Sequence, residues 1–224
     1  MEEKKFVKYK KDELGIKEFI KKSLGKGKIS GVELKYTPVG DRIILTTNKP
    51  GIIIGKRGDR LKELTKIITK RFNLDNPHID IQEIKHPEFD AQVIADDIAL
   101  SLERLGSLKF KVIAYRTMER IIKAGALGVE IRLSGKLPSE RAKSWRFAFG
   151  YLKKTGDTAK IVDKGNAVAK TIAGVIGVKV SILSPDKKIH DQIEISENLL
   201  KELRSRITVE SKEIKEEIAE EKSK

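Results

Sequence analysis

Pro50-Gly51-Ile52-Ile53-Ile54-Gly55-Lys56-Arg57-Gly58, followed by Asp59-Arg60-Leu61-Lys62-Glu63-Leu64, is the stretch on which the fold turns. Pro50 opens a short apolar run, and Gly55 and Gly58 interrupt it before a second apolar repeat begins. Leu61, Leu64, Ile68 and Phe72 recur at helical spacing and predict a helix from Asp59 to about Phe72, with Lys62, Lys66 and Lys70 on its other faces. The apolar Ile52-Ile53-Ile54 run, with Leu61 and Leu64, is read as anchoring both helices in a core. Neither glycine has a Cβ, so a nucleic-acid backbone can come close to the loop. The N–H groups that open the second helix then face a phosphate. Lys56 and Arg57 bring positive charge to the same place, and Arg60 and Lys62 extend it. A single RNA strand fits beside such a loop, with about four nucleotides held.

Upstream, a helix is predicted from Asp12, with Leu14, Ile16, Phe19, Ile20 and Leu24 as its apolar face and Gly25-Lys26-Gly27 as its end. Val32, Leu34 and Tyr36 alternate with polar residues as a strand. Pro38 to Asp41 is a turn, and Arg42 to Thr47 is a second strand. Downstream, Asn73 to Pro77 breaks the helix, and Ile79 and Ile81 alternate with Asp80 and Gln82 as a third strand. A bare Gly-x-x-Gly is common by chance, and a helix–turn–helix junction that needs glycine for close contact is the plain alternative. A phosphate-binding P-loop does not fit. Gly51 to Gly55-Lys56 is one residue short, and Arg57 stands where a Ser or Thr would hold Mg²⁺. The extended pattern Ile-Ile-Gly-Lys-Arg-Gly-x-x-Leu-x-x-Leu, set in the order helix, strand, strand, short helix, loop, helix, strand, resembles a KH domain of the type II arrangement. That resemblance implies an RNA-gripping loop at Gly55-Lys56-Arg57-Gly58.

Charge agrees with a polyanionic partner. The chain carries 47 Lys+Arg against 33 Asp+Glu, a net charge of +14. Residues 186–224 hold 9 basic and 11 acidic residues, leaving 38 and 22 in residues 1–185, a net of +16. Such a body draws nucleic acid. A membrane surface would attract it too, but the sequence shows no run long enough to span a bilayer and no signal-peptide pattern. The lack of cysteine excludes disulfides and thiolate metal sites and suits a cytosolic protein. His78, His86 and His190 form no ligand-spaced pair, and no Ser-His-Asp or Cys-His arrangement is present. The chain is read as non-enzymatic, with no cofactor and no metal.

His86-Pro87-Glu88-Phe89 reads as a domain boundary. A helix from about Asp90 to Leu105 turns Ala91, Ile94, Ile98 and Leu102 inward, with Asp96, Asp97 and Glu103 as a solvated acidic face. A second helix runs from Lys109 to about Ala124 and puts Lys109, Arg116, Arg120 and Lys123 near one stripe. That stripe is as well explained by solvation as by RNA. Val129, Ile131 and Leu133 alternate with Glu130, Arg132 and Ser134 as a strand, and further strands are predicted within 141–153, 159–169 and 175–183. If 141–154 is extended, its odd positions read Arg141, Lys143, Trp145, Phe147, Phe149, Tyr151, Lys153. The aromatics are assigned to the core side, and Arg141, Lys143 and Arg146 to RNA contact. The fold class is α+β: a basic, flexible leader at 1–10, a KH-like domain at 11–88, and a second domain at 89–185 with two helices on a mainly antiparallel sheet. The charged tail at 186–224 is read as partly helical or disordered.

Several segments of the second domain carry a closer resemblance. Tyr115-Arg116-Thr117-Met118, Gly125-Ala126-Leu127-Gly128-Val129-Glu130-Ile131, Leu133-Ser134-Gly135-Lys136-Leu137, Arg141-Ala142-Lys143-Ser144-Trp145-Arg146-Phe147 and Gly174-Val175-Ile176-Gly177-Val178-Lys179-Val180 resemble the S-three family of small-subunit ribosomal proteins. With the loop, the similarity covers roughly residues 1–185 in order, and the Arg-Ala-Lys-Ser-Trp run has an archaeal look. The resemblance implies a structural protein of the cytoplasmic small ribosomal subunit. It would bind ribosomal RNA in the subunit head beside neighbouring proteins and line the channel through which messenger RNA enters. Its RNA-binding candidates are Gly55, Lys56, Arg57, Gly58, Arg60, Lys62, Lys109, Lys111, Arg116, Arg120, Lys136, Arg141, Lys143 and Arg146. Bacterial members use two adjacent arginines, and a lysine one turn on, to help unwind messenger. One matching puts these at Lys111, Val112 and Tyr115, another at Tyr115, Arg116 and Glu119. Only one cation remains in either. After Leu137 the usual Arg-Gly pattern is replaced by Pro138-Ser139-Glu140-Arg141. A free-standing KH regulator leaves the second domain's motifs unexplained, and an enzyme would need a lysine singled out by its surroundings.

Overall fold

A computed structural model describes residues 2–37, 40–72, 74 and 77–187. The expected tail, from residue 188 onward, lies outside the described residues. Helix α1 (Glu2–Leu24) buries Ile16, Ile20 and Leu24, which recur every four residues. Leu14 falls off that stripe and is exposed, against expectation. Residues 2–10, expected as a flexible leader, continue the helix. Glu13 joins Lys10 at 2.8 Å and Lys17 at 2.6 Å across one turn, and Tyr9 meets Tyr36 with ring centroids 6.1 Å apart. Gly25, at φ +80°, ends the helix by donating its N–H to the Lys21 carbonyl.

Strands β1 (Gly31–Thr37), β2 (Gly40–Thr47) and β3 (His78–Glu83) form one sheet in the order β1-β2-β3. The first pair is antiparallel and the second parallel. The parallel pair is made possible by the crossover through α2 (Pro50–Ile54) and α3 (Asp59–Phe72). α3 buries Leu64 and Ile68, and α1 packs beside it to close a core around Ile43, Leu45 and Ile53. A five-residue helix can turn only one of its three isoleucines inward. Ile53 is fully buried, whereas Ile54 is exposed and Ile52 half-buried.

A single 3-10 turn at Pro87–Phe89 leads into α4 (Ala91–Leu105), and α5 (Phe110–Lys123) follows. The Asp90 carboxylate caps α4 by accepting the N–H groups of Gln92 and Val93, both at 3.0 Å. Strands β4 (Gly128–Gly135), β5 (Lys143–Gly150), β6 (Asp163–Thr171) and β7 (Gly174–Leu183) make a fully antiparallel sheet in the order β5-β4-β7-β6. Both helices cover one face. There Ile94, Ile98, Leu102, Phe110 and Ile121 meet Val129, Ile131, Leu133, Val178, Val180 and Ile182. In β4 and β7 one phase of the strand, Val129, Ile131 and Leu133 with Ile176, Val178, Val180 and Ile182, is buried against the helices, as the alternation in the sequence predicts. No helix among the described residues is long and apolar enough to cross a membrane.

Candidate nucleic-acid interface

The loop between α2 and α3 is built from three residues with positive φ: Gly55 at +72°, Arg57 at +54° and Gly58 at +79°. Glycine adopts this region freely. Arginine does so at a cost, and such strain concentrates where a loop is held for a task. A Cβ on Gly55 would come within 3.1 Å of the Arg60 Cβ and Cγ, so glycine is needed there for space as well. The Arg60 guanidinium donates to the Ile52 carbonyl at 3.2 Å and ties α3 back to α2 across the loop. Lys56, Arg57 and Lys62 are exposed and have no ion-pair partner among the described residues. The first turn of α3 follows directly. Along this helix Leu61 and Thr65, with Lys62, Lys66 and Lys70, line a groove that is apolar at its floor and cationic at its rim.

In the second domain the expected RNA contacts separate into groups. Lys136, Arg141 and Lys143 lie exposed around the β4–β5 turn, where Gly135 pairs with Lys143. Lys109, Lys111 and Arg116 are exposed at and beyond the start of α5. Lys111 is not a bare cation, because its ammonium sits 4.7 Å from the centre of the Trp145 ring. Arg120 is tied up at 2.8 Å by Asp97 of α4, and Lys123 by Glu119 one turn back.

The aromatics of β5 serve the core more than a ligand. Phe110 contacts Trp145 at 5.4 Å and Phe147 at 6.4 Å, and Tyr115 meets Phe147 edge-on at 5.2 Å. The buried indole N–H has no hydrogen-bond partner among the described residues, so packing on Phe110 and the core, with the Lys111 ammonium over the ring, holds Trp145. Phe149, expected beside them, is half exposed near the end of the outer strand β5. Arg146 points to the opposite face from Lys143, as strand alternation requires, so Arg141, Lys143 and Arg146 do not act as one patch. Of the acidic residues of α4, Asp97 stays half exposed, but Asp96 and Glu103 are not part of a solvated face. Asp96 is buried and accepts the Gly27 N–H at 2.8 Å, which offsets burial that pushes its carboxyl up. Glu103 accepts from the Lys170 N–H at 2.8 Å and Lys26 at 2.7 Å, and both bonds hold its carboxyl below the usual range.

Sequence reasoning missed Glu130 and, of the cations around it, Arg132 and Lys154; Arg146 was expected to contact RNA but not to pair with Glu130. The Glu130 carboxylate is met by Arg132 at 2.7 Å, Lys154 at 2.8 Å and Arg146 at 3.2 Å. The outward phase of β4 was legible, but what stands beside it across the sheet was not.

Residues 15–89 match the KH domain family, and residues 98–182 match the family described as "Ribosomal protein S3, C-terminal domain". The small ribosomal subunit protein uS3 of Methanocaldococcus jannaschii is 44% identical over 199 residues, 88% of this chain and 95% of its own. That of Archaeoglobus fulgidus is 40% identical over 203 residues, 90% and 87% of the two chains. That of Haloarcula marismortui is longer. It is 38% identical over 199 residues, which are 88% of this chain and 65% of its own. With a type II KH domain followed by this second domain, the chain belongs to the uS3 family of small ribosomal subunit proteins.

Proposed function

We propose that the chain is a structural RNA-binding component of the cytoplasmic small ribosomal subunit, seated in the subunit head. It grips ribosomal RNA at Gly55-Lys56-Arg57-Gly58 and through the second domain's cations, beside neighbouring head proteins, and lines the channel through which messenger enters. The observation that carries the RNA reading is the strained, exposed loop. Two unpaired cations stand between two positive-φ glycines, one of them, Arg57, held at positive φ itself, at the first turn of α3. Family membership supports placement in the subunit. Contact with messenger is supported by the exposed Lys111 and Arg116 on α5, beside Val112 and Tyr115, which are exposed as well.

Two measurements test this. The protein is expected to co-sediment with small subunits after a high-salt wash; release into the supernatant at salt that leaves other head proteins bound would defeat the structural role. A photo-crosslinker at residue 116 is expected to capture messenger on translating ribosomes. Capture of ribosomal RNA alone would remove the channel from the proposal.

A further inference from the structure

The face of the β5-β4-β7-β6 sheet turned away from α4 and α5 aligns its cations through the strand register. Arg146 of β5 lies opposite Arg132 of β4, Arg132 lies opposite Lys179 of β7, and Asn166 of β6 completes the row. The next row is Ala148, Glu130, Ser181 and Lys164. Adjacent strands stand about 4.8 Å apart, so three like charges line up across neighbouring strands, an arrangement that costs stability. Glu130 offsets only part of it. Its carboxylate gathers Arg132, Arg146 and Lys154 yet leaves their side chains 56%, 53% and 46% exposed, while its own is 7% exposed. Arg132, Lys154, Lys164 and Lys179 line a depression of about 280 Å³ in which Glu130 is the sole acid. On the other flank of the row stand Ser134, Ser144 and Gly177, whose small side chains leave the cations unobstructed.

We propose that this row is a second RNA-binding surface, separate from the α2–α3 loop, that seats the phosphate backbone of folded ribosomal RNA. The inference rests on the reading that the chain binds ribosomal RNA. An open sheet surface with two guanidinium groups and two or more ammonium groups in a band suits a run of phosphates, which arginine contacts through paired N–H groups. It suits an acidic peptide less well, because such a peptide would add to a sheet edge or fill a groove, and Arg132 and Lys179 stand on the two inner strands. Glu130 acts here as a positioning residue: it fixes the cation heads before RNA arrives, which lowers the ordering cost of binding.

The test uses the full chain, a folded small-subunit ribosomal RNA fragment and a short single strand, titrated with salt. The triple variant Arg132→Gln/Arg146→Gln/Lys179→Gln is expected to bind folded RNA at least tenfold more weakly than wild type. Its slope of log K against log salt should be shallower by about 2 to 3, since each lost phosphate contact removes roughly 0.7 to 0.9. Short-strand binding should stay within about twofold. The melting temperature is expected to fall, because the buried Glu130 carboxylate keeps only Lys154 of its three cationic partners; unchanged short-strand binding shows that the variant is still folded. Lys179→Gln alone, at a residue with no ion-pair partner among the described residues, should flatten the slope by about 1 without disturbing Glu130. Unchanged affinity and slope for folded RNA in both variants would overturn the proposal. Unchanged RNA binding with weakened binding of polyglutamate would overturn it in favour of an acidic protein partner. A wild-type chain that fails to bind either RNA at low salt would instead bring down the ribosomal RNA reading and this inference with it.

Discussion

At Arg57 the backbone stands at φ +54° between two glycines that share its left-handed region, and both flanking cations point to solvent. A side chain in that position contributes nothing to the core, so Lys56→Asp with Arg57→Asp is expected to leave the melting temperature within a degree or two. Single-stranded RNA binding should drop by more than tenfold, because two attractions to phosphate become repulsions. Equal affinity of the pair at matched salt would dismiss the loop. Glu130 makes the opposite bargain. Burial raises its carboxyl, but hydrogen bonds from Lys154, Arg132 and Arg146 outweigh that and hold it at about 2. A carboxyl whose folded pKa lies below its unfolded value binds more protons when unfolded, so its contribution to stability is full above about 4.5 and is lost as pH falls toward 2. Glu130→Gln is therefore expected to be less stable than wild type at pH 7 and to show a flatter fall in melting temperature between pH 5 and 2. Parallel curves for the two proteins would mean that the three cations do not stabilise the charged form.

At the scale of elements, local rules read well and cross-chain rules do not. The ends of α3, the turn at Gly25 and the alternation of β4 all follow from residues a few positions apart, and each stands where the periodicity put it. α1 extends to Glu2, ahead of the start at Asp12 that its apolar face predicts, and Glu13 pairs with Lys10 and Lys17 along its surface, a signal that hydrophobic periodicity ignores. The roles of Asp96 and Arg146 depend on partners 69 and 16 residues away, so no window of sequence shows them. The loop cations were legible for the same reason that the α1 and α4 errors were made: a charged residue reads as solvated unless a distant partner claims it. α4 offers a test of this scale. Asp90 caps its first turn and also accepts a hydrogen bond from the Ser30 hydroxyl. Asp90→Ala is expected to cost roughly 1 to 2 kcal/mol in urea denaturation, since a cap and a second bond are lost together. A loss below about 0.3 kcal/mol would show that water replaces both.

Across the whole molecule, the segment Gly25 to Ser30 leans on the second domain at several points. Gly27 donates to Asp96 at 2.8 Å, and Lys26 reaches both Glu103 and the Val168 carbonyl at 2.7 Å. The α2–α3 loop and the second domain's cations are thus carried by one scaffold, with Asp96 buried at the joint. Two surfaces held at a fixed spacing bind a folded RNA as if linked, with the second contact made at high effective concentration. A short strand that touches only the loop gains nothing from the spacing. Asp96→Ala with Lys26→Ala removes the Gly27–Asp96 bond and both Lys26 contacts, leaving only the Ser30–Asp90 bond of those described at the joint, and keeps the buried apolar residues of each domain in place. Affinity for a folded small-subunit RNA fragment is expected to fall roughly tenfold, about 1.4 kcal/mol, and short-strand affinity to stay unchanged. Small-angle scattering should show a broader spread of domain orientations in the variant. If both RNAs bind more weakly by the same factor, the joint supports the KH domain itself. If neither affinity changes while scattering shows the domains loosened, each surface reads its RNA alone and the fixed spacing contributes nothing to recognition.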